Sequence, residues 1–290
     1  KSKNLHWVMP DNSNYYQIAH KTFSNSLKRW GANKYEPIIK VPNNDNKKIF
    51  EFKKYYNIPF DKKIICIHIR GNDLLQNHNI KADKFRTSSI NDYIKTINFI
   101  NSKGIYVVRI GDKFINFNTN SLTNKDMFID YPKGNLKSDM MDVILINNSE
   151  LFIGTNSGPH WVASSLGKKL CLINIPFNDG FPYYNNVIFL PLIYKMHNKT
   201  LHFQDILKSF TGCTFDWLFE MYKIKIYTNS SKDILDTVKE SMYESNLINN
   251  YEYKNLNKVI KTRNFFNDLN HKFNRGIYSK LSATYIENNF

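Results

Sequence analysis

The chain is short of several things, and each shortage excludes a class of protein. Its 290 residues hold only three cysteines, Cys66, Cys171 and Cys213. Three is an odd number, and the spacing is not that of metal ligands. This argues against a disulfide scaffold and for a reducing, cytosolic setting. Apolar runs reach only about four to seven residues, against the ~20 needed to cross a bilayer as a helix. Lys1 to Trp7 lacks the apolar segment of a secretory leader. No Gly-Lys-Ser/Thr phosphate loop, no Gly-x-Gly-x-x-Gly and no Asp-x-Asp element is present. Acidic residues are scarce as well. Forty Lys and Arg face 25 Asp and Glu, a net charge of +15. Such a balance admits nucleic acid, anionic lipid or an anionic substrate as partner. The lysines are scattered among Asn and Ile, the residues that A/T-rich coding produces unprompted. The charge is therefore read mainly as compositional bias, with membrane-surface association as the alternative. No helix-turn-helix, zinc finger or aromatic-basic RNA motif accompanies it, so no nucleic-acid partner is expected.

What is present is an alternation of strands and helices. Ile64 to Ile69 is an apolar strand that ends in His68-x-Arg70-x-x-Asp73. In open α/β sheets ligands bind just outside such strand ends, and an arginine there can grip a phosphate or carboxylate bidentately. A complementary segment follows some ninety residues on. Leu151 to Ile153 reads as a strand, Gly154-Thr155-Asn156-Ser157-Gly158 as a turn, and Pro159 as the start of a helix closed by Gly167. Free N–H groups at a helix start form an anion site, and Gly154 and Gly158 would let a phosphate approach the backbone. A plain strand-to-helix turn reads equally well for this segment alone.

Helices are expected at Tyr15–Trp30, Lys47–Tyr56, Ser89–Ser102, Ser138–Ile146, His202–Phe210, Asp216–Met221 and from Ser231 through Met242. Strands are expected at Ile105–Ile110, Asp126–Tyr131, Lys169–Asn174 and Lys223–Tyr227. Thr87 and Ser88 are cap candidates for one helix, Asp139 for another, and Ser230 to Asp233 for a third. Short apolar strands alternating with helices predict a parallel sheet covered on both faces. Past Asn174 the pattern loosens into a Pro- and aromatic-rich stretch, Phe177–Tyr184 included. Three parts are expected: a helical segment 1–60, a nucleotide-binding domain 61–245 and a helical extension 246–290.

The motifs in order resemble a family of bacterial glycosyltransferases encoded among surface-polysaccharide genes. They are His68-x-Arg70-x-x-Asp73, Phe85 to Tyr93, Gly104 to Asp112, Ile129-Asp130-Tyr131, Lys137-Ser138-Asp139, Phe152 to Gly158 and Lys225 to Leu235. His-x-Arg-x-x-Asp is also similar to a motif of GDP-fucose-using transferases, and Ser157-Gly158-Pro159-His160 to the phosphate-facing turn of ADP-heptose transferases. The resemblance implies an α/β, Rossmann-like donor domain of GT-B type. It further implies a cytoplasmic enzyme, peripheral on the inner membrane face at most. That enzyme would move a sugar from a nucleoside-diphosphate sugar to a hydroxyl of a glycan or glycolipid acceptor. About 60 residues before the first strand are too few for a complete N-terminal Rossmann domain. The acceptor half is thus expected to be cut away or reduced to a helical cap.

By that resemblance Arg70 and the N–H groups of Ser157 to His160 bracket the donor diphosphate. An arginine and a helix start can neutralise a leaving diphosphate, so no metal and no cofactor are expected, with inversion as the stereochemical outcome. Asp73 orients Arg70 or acts as base; His68 fills a polar niche or acts as base. Arg86, Gly111, Asp112, Asp130, Tyr131, Ser138, Asn156, Ser157, Gly158 and His160 are the candidate donor contacts. Loop or helix capping is the plainer role for Asp130 and Tyr131, and packing for His160 and Trp161. The alternatives for the whole chain are an epimerase-like enzyme and a nucleotide-sugar-binding module that transfers nothing on its own.

Overall fold

A computed structural model describes residues 36–71, 87–113, 115, 117–177, 186–209, 216–272 and 279–290. The expected helix Tyr15–Trp30 lies outside these, as does all of the aromatic stretch after Phe177.

The chain enters with a short turn of helix, α1 (Asn43–Asn46), and then α2 (Lys48–Tyr55). The first sheet strand, β1 (Ile64–His68), follows. Every residue of β1 is buried, which is why it reads as a continuous apolar run rather than an alternation. A 3₁₀ turn at Ile90–Tyr93 feeds α3 (Ile94–Ser102), and β2 is Tyr106–Arg109. Ser89 caps the turn, its Oγ accepting the Asn91 N–H, one residue beyond the two cap candidates. Gly104 ends the helix region at φ +72, where glycine carries no Cβ penalty. Then come β3 (Phe128–Asp130), α4 (Asp139–Asn147), β4 (Phe152–Gly154), α5 (Gly158–Ser165) and β5 (Leu170–Ile175). Ser138, not Asp139, caps α4, accepting the Met141 N–H at 3.2 Å.

Three strands in the loosely patterned stretch are not legible in the sequence: β6 (Val187–Pro191), β7 (Ile193–Met196) and β8 (Lys199–Thr200). Helices α6 (Phe203–Ser209) and α7 (Asp216–Met221) precede β9 (Ile224–Tyr227). Next is α8 (Ser231–Glu244), capped by a reciprocal Ser230–Asp233 box. Residues 246–290, expected as a helical extension, form α9 (Leu256–Lys272) and α10 (Ala283–Asn289). They also supply β10 (Lys280–Leu281), which joins the main sheet beside β6. Buried Glu240 secures this segment: one carboxylate oxygen accepts the Ala283 N–H at 2.9 Å and the other pairs with Arg263.

Among the described residues the main sheet has seven strands in the order β3-β2-β1-β4-β5-β6-β10, and every pairing is parallel. This is the doubly wound α/β arrangement, Rossmann-like in strand order. A small antiparallel sheet, β8-β7-β9, lies beside it. Parallel crossovers are right-handed, so connections running in opposite directions from β1 and β4 put their helices on opposite faces. One face carries α3, α8 and α10 in mutual contact, the other α2, α4 and α5. The direction in which successive crossovers step across the sheet reverses between β1 and β4. At such a switch point the crossovers part and a crevice opens beyond the strand ends.

Candidate functional site

His68, the last residue of β1, and the turn after β4 meet in that crevice. The Thr155 N–H donates to His68 O at 3.2 Å, and the Arg70 N–H donates to Thr155 Oγ1 at 3.1 Å. The Ser157 hydroxyl donates to Thr155 O at 3.1 Å and lies 2.9 Å from His68 Nδ1. Its one proton being used, that contact is best assigned with the imidazole donating. On the other side of the ring stands Gly111, at φ +101. A Cβ there would come within 2.5 Å of His68 Cδ2 and 2.7 Å of Nε2. Burial pushes the His68 pKa down to about 3, helped by Arg109, His160, Arg70 and Lys137 around it. The imidazole is therefore neutral at ordinary pH and wedged between two strand ends.

The turn continues into α5. His160 is buried, and its Nδ1 accepts the Ser157 N–H at 3.1 Å, the side-chain half of a capping box. Asn156 is 2 % exposed, and its Nδ2 has no hydrogen-bond partner among the described residues. A buried donor left unsatisfied costs about 1–3 kcal/mol. Gly158 opens the helix, and a Cβ on it would meet nothing within 4 Å. Gly158 is exposed there. Gly154 was expected to let a phosphate approach as well and does not. A Cβ at 154 would fall 2.6 Å from the Phe152 ring and 3.3 Å from His68 O, so its smallness is used up by packing.

Arg70, Asn156, Ser157, Gly158 and His160 are thus gathered with His68 and Gly111. Asp73 and Arg86 lie outside the described residues. The remaining candidates belong to a different structure at the β2 and β3 ends. Arg109, fully buried on β2, donates from Nε to Asp130 Oδ1 at 2.5 Å and from Nη1 to Asp112 O at 2.6 Å, while its Nη2 lies 2.5 Å from the same Asp130 oxygen as an ion pair without a hydrogen bond. Lys133 takes the other Asp130 oxygen at 3.1 Å. Tyr131 is fully buried, its ring against Phe52. Its hydroxyl accepts the Ser138 N–H at 2.9 Å and reaches Leu136 O and Ser138 O at 3.2 Å. Tyr131 therefore braces the 134–138 loop instead of facing a base, and Ser138 is occupied as a helix cap. Tyr131 thus has the plainer, bracing role, while Asp130 makes no side-chain cap hydrogen bond and serves as an ion-pair partner.

Arg109 is the residue that reading the sequence missed. Its one signal was an arginine at the end of an otherwise apolar strand. A second network supports the crevice from β5. Asn174, in the left-handed region at φ 55, donates from Nδ2 to Ser88 Oγ at 2.8 Å, and its Oδ1 accepts from Asn229 N and Nδ2 at 2.9 and 2.7 Å. Ser88 N–H in turn donates to Arg70 O at 3.0 Å, so the backbone at Arg70 is tied through Asn174 to the start of α8. Among the described residues no three His, Cys, Asp or Glu side chains converge where they could hold a metal ion. No helix among them is long and apolar enough to cross a membrane.

The fold and site define a class: a doubly wound α/β domain whose switch point joins a polar strand end to the start of a helix. Two solved structures share its general form. ADP-heptose lps heptosyltransferase II of E. coli is 12% identical over 72% of this chain and 54% of that one, with a TM-score of 0.45. A glycosyl transferase family 9 protein from Veillonella parvula DSM 2008 is 14% identical over 71% and 53%, with a TM-score of 0.46. The chain spans about half the length of either. Scores this low carry no argument about activity, and the fold assignment above rests on strand order alone. No family model and no curated protein matches the chain.

Proposed function

We infer that this chain binds the nucleoside-diphosphate half of a sugar donor and acts in sugar transfer to a hydroxyl of a glycan or glycolipid. The observation that carries the reading is the switch-point turn. Asn156 Nδ2 lies there buried and without a partner among the described residues, beside the open N-terminus of α5. Arg70 starts from the neighbouring strand end, with its N–H tied to Thr155. A guanidinium, a helix start and a free amide donor together suit a diphosphate, whose charge grows as it leaves the anomeric carbon. The motif order His68-x-Arg70 and Ser157-Gly158-Pro159-His160 supports the same reading.

In this reading His68 is not the general base. An imidazole whose pKa is pushed to about 3 is a weak proton acceptor at neutral pH. It works as a neutral strut that fixes Ser157, and Asp73 is left as the base candidate. Transfer is metal-independent and inverting in this proposal, with charge neutralisation assigned to Arg70 and the helix start. The second reading is a donor-binding module that transfers nothing on its own.

A thermal-shift series with GDP, UDP, ADP, CMP and their sugars tests the reading. One diphosphate should raise Tm by several degrees at saturating concentration, and Arg70→Ala should remove most of that shift. If no nucleotide shifts Tm, the proposal falls; if CMP alone does, Arg70 has no diphosphate to hold. Product formation with a matched acceptor separates transferase from binding module.

A further inference from the structure

The stretch Lys47–Lys63, which leads into β1, has a surface of unusual make-up. Within seventeen residues it carries six lysines, five aromatic rings and only two acids, Glu51 and Asp61. Helix α2 turns Ile49 and Phe52 into the core. It leaves Phe50 and Tyr55 outside, 55% and 52% exposed, and Phe60 in the following turn is 60% exposed. The Phe50 and Phe60 rings touch each other, with centroids 5.9 Å apart. They are also held there. Lys53 Nζ donates to Phe60 O at 2.9 Å and to Lys62 O at 2.8 Å, clamping the turn onto the helix. Lys47, Lys54 and Lys63 are exposed and form no ion pair among the described residues, while Lys48 pairs with Asp45 at 2.9 Å and Lys62 only loosely with Asp61 at 3.9 Å. The two touching rings keep more than half of their surface in water and stand amid lysines, the make-up of a contact surface.

We propose that the Phe50–Phe60 face of Lys47–Lys63 docks on an anionic lipid surface. The rings enter the headgroup region, where aromatic side chains are favoured, and the surrounding lysines meet the lipid phosphates. Single-stranded nucleic acid also pairs lysines with rings, but it needs ring faces open for stacking. Here the two rings meet tilted at 57°, making an apolar knob rather than a flat platform. Phe60 stands just ahead of β1 and His68 ends that strand, so the patch lies at the sheet edge away from the crevice. Docked this way, the crevice faces water and a soluble donor. The inference does not depend on the donor reading.

The test is co-sedimentation of the full chain with phosphatidylcholine vesicles, with and without phosphatidylglycerol. Binding should require phosphatidylglycerol and weaken as salt rises. Phe50→Ser/Phe60→Ser and Lys54→Gln/Lys62→Gln should each lower vesicle binding about tenfold or more. Neither should change Tm, since all four side chains are exposed. The proposal is overturned if phosphatidylglycerol makes no difference, or if both double variants bind like the parent chain. Displacement from vesicles by a poly(U) oligomer at the same site would assign the face to nucleic acid instead. A fall in Tm of several degrees in the phenylalanine variant, without vesicle binding, would assign it to contact within the chain.

Discussion

Two pairs of strand ends at the same edge of the sheet have been put to different uses. Beyond β2 and β3 the side chains pair with one another, Asp130 with Arg109 and Lys133 and Tyr131 with the Ser138 loop, and of the Arg109 nitrogens only Nη2 is without a hydrogen bond among the described residues. Beyond β1 and β4 the account stays open, with Asn156 Nδ2 unsatisfied and space in front of Gly158. Both regions are polar, and in sequence they look alike. The difference is topological. β2 and β3 continue outward from β1 in one direction, so their ends pack side by side, whereas β1 and β4 flank the point where the connections part. Polar groups that are packed together satisfy one another; those at a switch point face a crevice.

The sharpest way to break this comparison is to remove Asp130. Asp130→Ala leaves the fully buried Arg109 without its counter-ion. Losing one partner of a buried pair costs about 3–5 kcal/mol, and the lower end is expected here because Asp130 is partly exposed. Urea unfolding measures the loss. A cost below ~1 kcal/mol, or a folded variant that no longer responds to nucleotide, would move Asp130 into the binding site.

The next effect is on acid stability. The unfolded His68 side chain takes up a proton below its ordinary pKa of 6.5, while the folded one resists until about 3. Its folded pKa is depressed, so protons favour the unfolded chain across that window. Stability should fall as pH drops from 6.5 toward 3, by at most ~1.4 kcal/mol per pH unit from this residue. Unfolding midpoints for the parent and His68→Asn across that range isolate the contribution. Parallel pH profiles would mean that the ring is not held neutral.

Asn156→Ala should change stability least, within about 0.5 kcal/mol, because its Nδ2 has no hydrogen bond to lose among the described residues. It should nonetheless reduce the thermal shift given by the best nucleotide. If stability drops while the nucleotide response survives, Asn156 belongs to the scaffold, and the two strand ends are alike after all.

Much of this was legible in the residues. Strands β1, β2, β4 and β5 are short β-branched runs, and their ends were read to within a residue or two. The Ser230–Asp233 cap and the Gly104 stop follow from local backbone chemistry and appear where expected. Less legible was the path after Asn174. β6 runs into Pro191 and β10 is only two residues long, so neither shows a periodicity of its own. They become strands because β5 offers β6 an edge and β6 then offers one to β10. Arg109 escaped notice for a similar reason. A charged residue is tolerable at a buried strand end only if a partner arrives from elsewhere, and Asp130 lies twenty-one positions further on.

The sequence by itself determined the class of fold, the place of the His68–Arg70 strand end and the start of α5 behind Ser157. Each of these depends on local signals, namely apolar runs, small turn residues and a proline at a helix start. Tertiary structure alone decided which polar residues are spent and which remain available. Gly154 and Gly158 stand in the same turn, yet one is filled by the Phe152 ring and the other faces open space. His68 became a neutral strut because burial among Arg109, His160, Arg70 and Lys137 removes its charge, and those neighbours converge only once the sheet has formed.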